Sequence, residues 1–447
     1  MHNVVEGIKT MSVISMPYGK EQVNFFLDDK YEYDQILPPR SPAAANEFDL
    51  VKKALESPLN DFKLKTFGKK DRIAIAVNDK TRPVPLNILI PPLINFLHEL
   101  GASQEQIKFI IASGTHIPMQ DNEFCLLFNK DIIENYRIYS HNCDEINKLV
   151  PLGVTKAETP IFINKEFYEA DVKIVVGHIE PHHFMGYSGG VKTASIGLAG
   201  RETINKNHEM LLDPRCATCT YANNPMRMDV EEIGDIIAID CALNCVLNTD
   251  KKIINVLFGR PRDVIENGIK IADSVCRVGI TKKYDLVVAS PGGYPKDINL
   301  YQSQKAITQA ASIIKDNGYI ILAAKCSEGS GSKSFEKFME GMTTPYSVIN
   351  KFKESGFSVG PHKAFQIARE AARINILIKS HLPRSLSKSF LLTPIDNIEN
   401  TVNDIFSKHE GNIDIAIMPN AINTIPQLLT INLKTPSRTP SKHEPFN

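Results

Sequence analysis

The chain has no tryptophan in its 447 residues and no net charge, with 51 basic residues against 51 acidic ones. Without an excess of positive charge there is no electrostatic footprint for nucleic acid or for an anionic membrane surface, so neither is expected as a partner. No apolar run reaches the roughly 18 residues needed to span a bilayer. The longest apolar block, residues 88–100, is interrupted by Pro91 and Pro92. The opening stretch, MHNVVEGIKTMSVISM, lacks the charged start and continuous apolar centre of a signal peptide. A soluble, cytoplasmic protein is expected. Its cysteines are scattered from Cys125 to Cys326 with no dense framework, which fits reduced thiols. Cys216, Cys219, Cys241 and Cys245 are spaced as a four-thiolate metal site could be, but the last two fall in the apolar run AIDCALNCVLN, where cysteine is a small hydrophobe.

Three catalytic signatures are also missing. The first strong strand ends in NDKTRP and not in GxGxxG, which argues against a nicotinamide-binding Rossmann unit. The Gly/Ser loop at 326–332 lacks the GK[ST] ending of a phosphate-binding loop, so nucleotide hydrolysis is unsupported. No histidine pair has the HExxH spacing of a zinc protease helix.

What is present is a repeated alternation of strand and helix. Apolar residues make up 43% of the chain, enough for full cores, and the length implies more than one domain. Residues 11–28 alternate around Tyr18-Gly19-Lys20 as a hairpin would. Ser41-Pro42 reads as the N-cap and first residue of a helix running to Leu55. DRIAIAV (71–77) is a buried strand, followed by a helix over 86–100 and a strand over 107–112, a β-α-β unit expected to be parallel. A helix is expected over 121–128, strands over 137–141 and 172–176, a helix over 226–234, and a hairpin over 236–258. A helix over 262–275 bridges to a second α/β alternation that begins with YDLVVA (284–289). We therefore expect an α/β fold with an N-terminal domain over 1–270 and a C-terminal domain over 271–430. Residues 431–447, rich in proline and small polar residues, read as a disordered tail.

Three successive strands of the first half end in polar motifs: Asp79-Lys80-Thr81-Arg82-Pro83, Ser113-Gly114-Thr115-His116 and Gly177-His178-Ile179-Glu180-Pro181-His182-His183. Strand ends are where open α/β sheets hold ligands. An arginine there binds a carboxylate bidentately, and a neighbouring aspartate binds a hydroxyl. The third motif continues through Tyr187-Ser188-Gly189-Gly190 to Lys192 and His208. Glycines in such a turn let backbone amides approach a ligand, a phosphate among the candidates. Histidines, a lysine past a glycine turn and a further histidine are parts for acid/base, covalent or metal chemistry. One use of them is a zinc-dependent hydrolase on His178, His182, His183 and His208, another a binding pocket without catalysis. In the second half Tyr301, Gln302 and Lys305 open a helix, and its first turn is a possible carboxylate-binding edge.

Taken together and in order, DKTRP, SGTH, GHIEPHHFMGYSGGVK, NKNH and GGYPKDINLYQSQK resemble the nickel-dependent lactate racemase family over most of residues 12–430. The resemblance implies two α/β domains with the active site in the cleft between them. It implies a nickel pincer nucleotide, a pyridinium mononucleotide with thioamide and thioacid arms, attached covalently at Lys192 with His208 as a nickel ligand. It implies His116 and His182 as the alternate acid/base pair, Asp79 and Arg82 at the substrate, and Tyr301, Gln302 and Lys305 as the triplet that stacks on the cofactor and binds substrate. Ser188, Gly189 and Gly190 fall in the cofactor loop. His178, His183 and Tyr187 are candidate pocket or supporting residues. The activity implied is racemisation or 2-epimerisation of a 2-hydroxy acid, with cofactor maturation enzymes as partners. The missing tryptophan and the His183-Phe184-Met185 triplet beside His182 point to a pocket unlike that for lactate, and a longer acid is one candidate.

Overall fold

The strand Ile73–Asn78 (IAIAVN) has no polar face, and five of its six residues are buried, because both sides of the sheet it centres are covered. The computed structural model describes residues 11–28, 30–409 and 412–429. Ile107–Ala112 pairs in parallel on one side of this strand and Val172–His178 in parallel on the other. Arg137–Ser140 continues the sheet outward from the first neighbour, Cys241–Leu247 from the second, and Ile253–Gly259 closes that edge antiparallel. The chain thus builds outward from the middle, then returns to the other side of its starting strand. The crevice outside the carboxyl ends of strands at such a reversal is where open α/β sheets take ligands.

A second six-stranded sheet repeats the plan. Tyr284–Ala289 is central, with Ile314–Ala323 and Ile415–Met418 parallel on its two sides. Asn375–Lys379 and Thr393–Pro394 extend one edge, and Tyr33–Gln35 forms the other. The expected α/β class is therefore found, with parallel pairing in both halves. The hairpin also forms as alternation predicts, Met11–Tyr18 against Glu21–Asp28. Its packing crosses the sequence. Ile14, Met16, Phe25 and Leu27 bury against Leu286, Val288, Ile321, Ile415 and Ile417 of the second sheet. With Tyr33–Gln35, the start of the chain belongs to the core of the later half.

Some local expectations change. The first helix starts at Glu47, not at Ser41, because the Asn46 side chain accepts from the Phe48 and Asp49 amides at 3.1 and 3.3 Å. Residues before it run extended, with the Ala44 amide donating to the Ile253 carbonyl at 3.0 Å. The helix expected over 121–128 is a 3-10 segment, Asp121–Leu126, followed by the helix Lys130–Asn135. An antiparallel pair, Leu149–Val154 with Pro160–Asn164, carries no strong alternation and was not expected. The bridging helix runs over Pro261–Cys276. The tail expected over 431–447 lies outside the described residues. Among those described, no helix is long and apolar enough to cross a membrane.

Candidate active site

Three adjacent parallel strands deliver the three polar motifs to one sheet edge. Ile73–Asn78 leads into Asp79 and Arg82, Ile107–Ala112 into His116, and Val172–His178 into the long loop carrying His182 and Lys192. These residues, with Ser188, Gly189 and His208, line one cavity of about 460 Å3. That volume lies in the usual range for ligand pockets, roughly 300–1,000 Å3.

Asp79 is buried, and its carboxylate accepts from His116 Nδ1 at 2.7 Å and from the Thr81 hydroxyl at 2.7 Å. Burial pushes the Asp79 carboxyl up, but these hydrogen bonds outweigh it and hold it below its ordinary value. The consequence for His116 is a defined tautomer. Nδ1 carries the proton that Asp79 accepts, and the lone pair on Nε2 is left for chemistry. Asp79, expected at the substrate hydroxyl, is placed behind the histidine. The His116 side chain is 45% exposed, at the open side of the cavity.

His182 sits in a two-residue antiparallel pairing, Pro181–His182 against Gly186–Tyr187. Its Nδ1 accepts from the Met185 amide at 3.2 Å. The turn depends on Gly186, whose φ is +74° and where an added Cβ would lie 1.9 Å from the Thr220 carbonyl oxygen. Burial first, then the positive charges of Lys192 and Arg82, keeps His182 well below the usual imidazole range, so it is neutral at rest.

A buried arginine braces this loop from below, and nothing in the sequence marks it. Arg227, in the helix Pro225–Ile237, donates to the carbonyls of Tyr187 and Gly189 at 3.0 and 3.1 Å and to Glu231 at 2.8 Å. Both members of the pair are buried. Its only sequence signal is the i,i+4 spacing of arginine and glutamate, which ordinarily means an exposed pair. Arg227→Met is expected to cost about 3–5 kcal/mol, since it strands the Glu231 charge and frees two carbonyls. Chemical denaturation of the purified variant measures this. A cost under 1 kcal/mol would mean that the loop holds its shape unaided.

Lys192 and His208 face the cavity with unusual electrostatics. Burial strips water from the Lys192 ammonium, and Arg82 and Arg227 repel it, so the amine is well below the ordinary lysine range. Burial and Lys192 push His208 down to about 3, leaving a neutral imidazole. Phe184 and Phe357 flank its ring, with centroids at 5.6 and 5.1 Å. Burial thus disfavours the charged form of Lys192 and leaves His208 with an unprotonated nitrogen, which favour covalent attachment at the first and metal ligation at the second.

The second half contributes Tyr301 and three residues that sequence reasoning missed, Phe357, Val359 and His362. No motif singles out the last three, which come from the turn before the helix Pro361–Ala371 and its first residues. Lys305 lines an adjoining cavity of about 400 Å3, which shares Arg82 and His178 with the first. His178 is buried with Nε2 3.1 Å from the Glu180 carboxylate, and His183 lines only the adjoining cavity of these two.

Other expected residues are placed elsewhere. Gln302 lines neither cavity. Gly190 is also outside them, and its amide donates to Asn244 at 2.7 Å; the Ser188 amide donates to the Glu180 carbonyl at 2.8 Å. Neither of these two amides is free for a phosphate. Tyr187 is buried beneath the loop, its hydroxyl donating to Asp273 at 2.5 Å and accepting from Arg277 at 3.0 Å. Among the described residues no three His, Cys, Asp or Glu side chains form a metal-binding group. The four-histidine zinc set is thus not assembled, because His183 is turned to the other cavity. The four-thiolate set fails likewise, since Cys241 and Cys245 are buried in a strand.

The family model described as the lactate racemase N-terminal domain matches residues 18–219, and that of the lactate racemase C-terminal domain matches residues 280–425. A domain family of unknown function matches residues 129–344. The chain is 33% identical over 354 residues to a lactate racemase of Thermoanaerobacterium thermosaccharolyticum, covering 77% of this chain and 82% of that one. It is 30% identical over 349 residues to a lactate racemase of Lactiplantibacillus plantarum, covering 76% and 81%. The solved lactate racemase apoprotein of T. thermosaccharolyticum superposes with a TM-score of 0.84 at 28% identity, over 93% of this chain and all of that one. A Thermotoga maritima protein shares the fold at a TM-score of 0.63 and 17% identity, over 88% of this chain.

Proposed function

Because this chain belongs to the lactate racemase family, we propose that it interconverts the two configurations at C2 of a 2-hydroxy acid. The observation that carries the reading is one cavity lined by two histidines from different strand ends, an arginine, a lysine whose charged form is disfavoured by burial, and a neutral histidine. A racemase needs a base for each enantiomer, and bases from different strands can approach a planar 2-keto acid from different directions.

In this reading His116 Nε2 takes the hydroxyl proton of one enantiomer while Asp79 stabilises the imidazolium that forms. His182 serves the other enantiomer. Its resting tautomer, set by the Met185 amide, has the proton on Nε2, so at rest the ring donates a hydrogen bond to the substrate oxygen. Arg82 and Lys305 hold the carboxylate while C2 inverts, and fixing that end limits the motion to the reacting carbon. The apolar walls at Phe184, Ile196 and Phe357 exclude water from a 2-keto intermediate.

The residues present fit the family's nickel pincer nucleotide. Lys192 would hold it through the covalent thioamide, His208 would ligate nickel, and Tyr301 and Ser188 stand where they could contact the nucleotide. When bound, that group supplies a carbon that accepts and returns hydride. We assign Asp79 to positioning His116, and keep Gln302 and Gly190 as candidate contacts only in a cofactor-loaded form. We further propose an N-terminal division at 1–270 and a C-terminal one at 271–430, a cytoplasmic enzyme with free thiols, and dependence on maturation enzymes for the cofactor.

The test is chiral analysis of 2-hydroxy acids incubated in D2O with protein co-expressed with those enzymes. Interconversion with the C2 hydrogen retained is expected. Interconversion with deuterium washed into C2 would refute hydride chemistry, and no interconversion by nickel-loaded protein across the panel would refute the racemase reading.

A further inference from the structure

The adjoining cavity carries more positive charge than one carboxylate can use. Lys80, Arg82, Lys251, Lys296 and Lys305 line it, against Glu180 as the one carboxylate among the described residues. Lys80 is paired with Glu123 outside it. Burial pushes Glu180 up, but His178, Arg82 and Lys305 hold it down to about 2, so it stays ionised among them. Arg82 and Lys305 together answer to the carboxylate next to C2.

Lys296 and Lys251 remain. Neither ammonium has a hydrogen-bond or ion-pair partner among the described residues. The nearest acid in sequence to Lys296 is committed elsewhere: buried Asp297 accepts from the Gly19 amide at 2.6 Å and the Lys325 amide at 3.0 Å. Burial, with repulsion from Lys251, lowers Lys296 from its ordinary value, so two like charges face the same space without a counter-ion. A protein rarely keeps a partly buried lysine in that state unless an anion arrives. The site adjoins the reaction cavity, and Arg82 and His178 line both.

We propose that Lys296 and Lys251 form a second anion subsite, and that the substrate is a 2-hydroxy acid bearing a further anionic group, a carboxylate or a phosphate, at its far end. This rests on the racemase reading above. It accounts for five cationic side chains around one cavity, where 2-hydroxypropanoate would use two.

Two measurements test it. Loaded enzyme is assayed with 2-hydroxypropanoate, 2-hydroxybutanedioate, 2-hydroxypentanedioate and 2-hydroxy-3-phosphopropanoate, and the same acids are titrated calorimetrically into the apo chain. At least one dianionic acid is expected to exceed 2-hydroxypropanoate by tenfold or more in kcat/KM and in affinity, and the winner separates carboxylate from phosphate. Lys296→Gln is expected to shrink that preference tenfold. Lys251→Asn, which suits the positive φ of 62° at that turn, is expected to shrink it less. Equal affinity for mono- and dianionic acids, or a preference unchanged within threefold in both variants, overturns the subsite. A dianion preference in binding that Lys296→Gln removes, with no turnover of any acid, keeps the subsite and sinks the racemase reading instead.

Discussion

Lys192→Ala is expected to remove the enzyme's activity entirely while leaving its fold intact or more stable. The reason lies in the cost of this lysine to the folded chain. Its ammonium is enclosed beside Arg82 and Arg227, and the Glu180 carboxylate offsets burial and that repulsion only in part; a buried cation so poorly compensated is unfavourable by several kcal/mol unless it gives up its proton. Replacing it by alanine relieves that cost, so the melting temperature should stay level or rise. Function should behave oppositely, because among the described residues no other lysine lines the first cavity. Intact mass after co-expression with the maturation enzymes reads the outcome directly. Wild type should gain a nucleotide-sized adduct and about one nickel, and the variant should gain no covalent adduct. Lys192→Arg should fail equally, since a guanidinium keeps its charge and is a poor acyl acceptor. A variant that still carries the covalent adduct would refute the assignment of Lys192.

Asp79→Asn is expected to cost nearly as much as the loss of His116 itself, about 10²–10⁴ in racemisation rate. The carboxylate accepts the Nδ1 proton of His116 at 2.7 Å and thereby keeps Nε2 free as a base. An asparagine at the same place can donate to Nδ1, which moves the ring proton to Nε2 and removes the base without altering the geometry. Because the two residues act as one unit, Asp79→Asn with His116→Gln should be no slower than His116→Gln alone within about threefold. Steady-state rates of the two single variants and the double variant, each checked for nickel content, decide this. Additive losses would make Asp79 a direct substrate contact, as the sequence by itself suggested, and a single-variant loss below threefold would remove it from the reaction.

The sequence was informative where chemistry follows local pattern. Five consecutive buried residues in IAIAV could only be the middle of a covered sheet. His116, His182 and Lys192 each follow a recognisable strand end, and the structure brings all three to one cavity. It was silent where a role depends on what arrives from elsewhere in the chain. Arg227 reads as one half of a surface helix pair, yet its side chain is fully buried under the loop that carries His182 and Lys192. His362 follows a Gly-Pro that marks only a helix start, yet its ring lies 5.8 Å from that of Tyr301. Gly189 and Gly190 read as a phosphate-binding turn, yet an asparagine from a neighbouring strand takes the Gly190 amide.

The succession of strands and helices and the placing of polar motifs at strand ends follow from short-range pattern, because hydrophobic periodicity and strand-end motifs are local properties of the chain. Tertiary structure alone decided which histidine is oriented by a carboxylate, which lysine is held below its ordinary range and which loop amides stay free. Those outcomes depend on burial and on neighbours distant in sequence: Asp79 and His116 are 37 residues apart, and Gly190 and Asn244 are 54 apart. Tautomer and protonation state are set by the few ångströms around a group, and only the folded chain defines that surrounding.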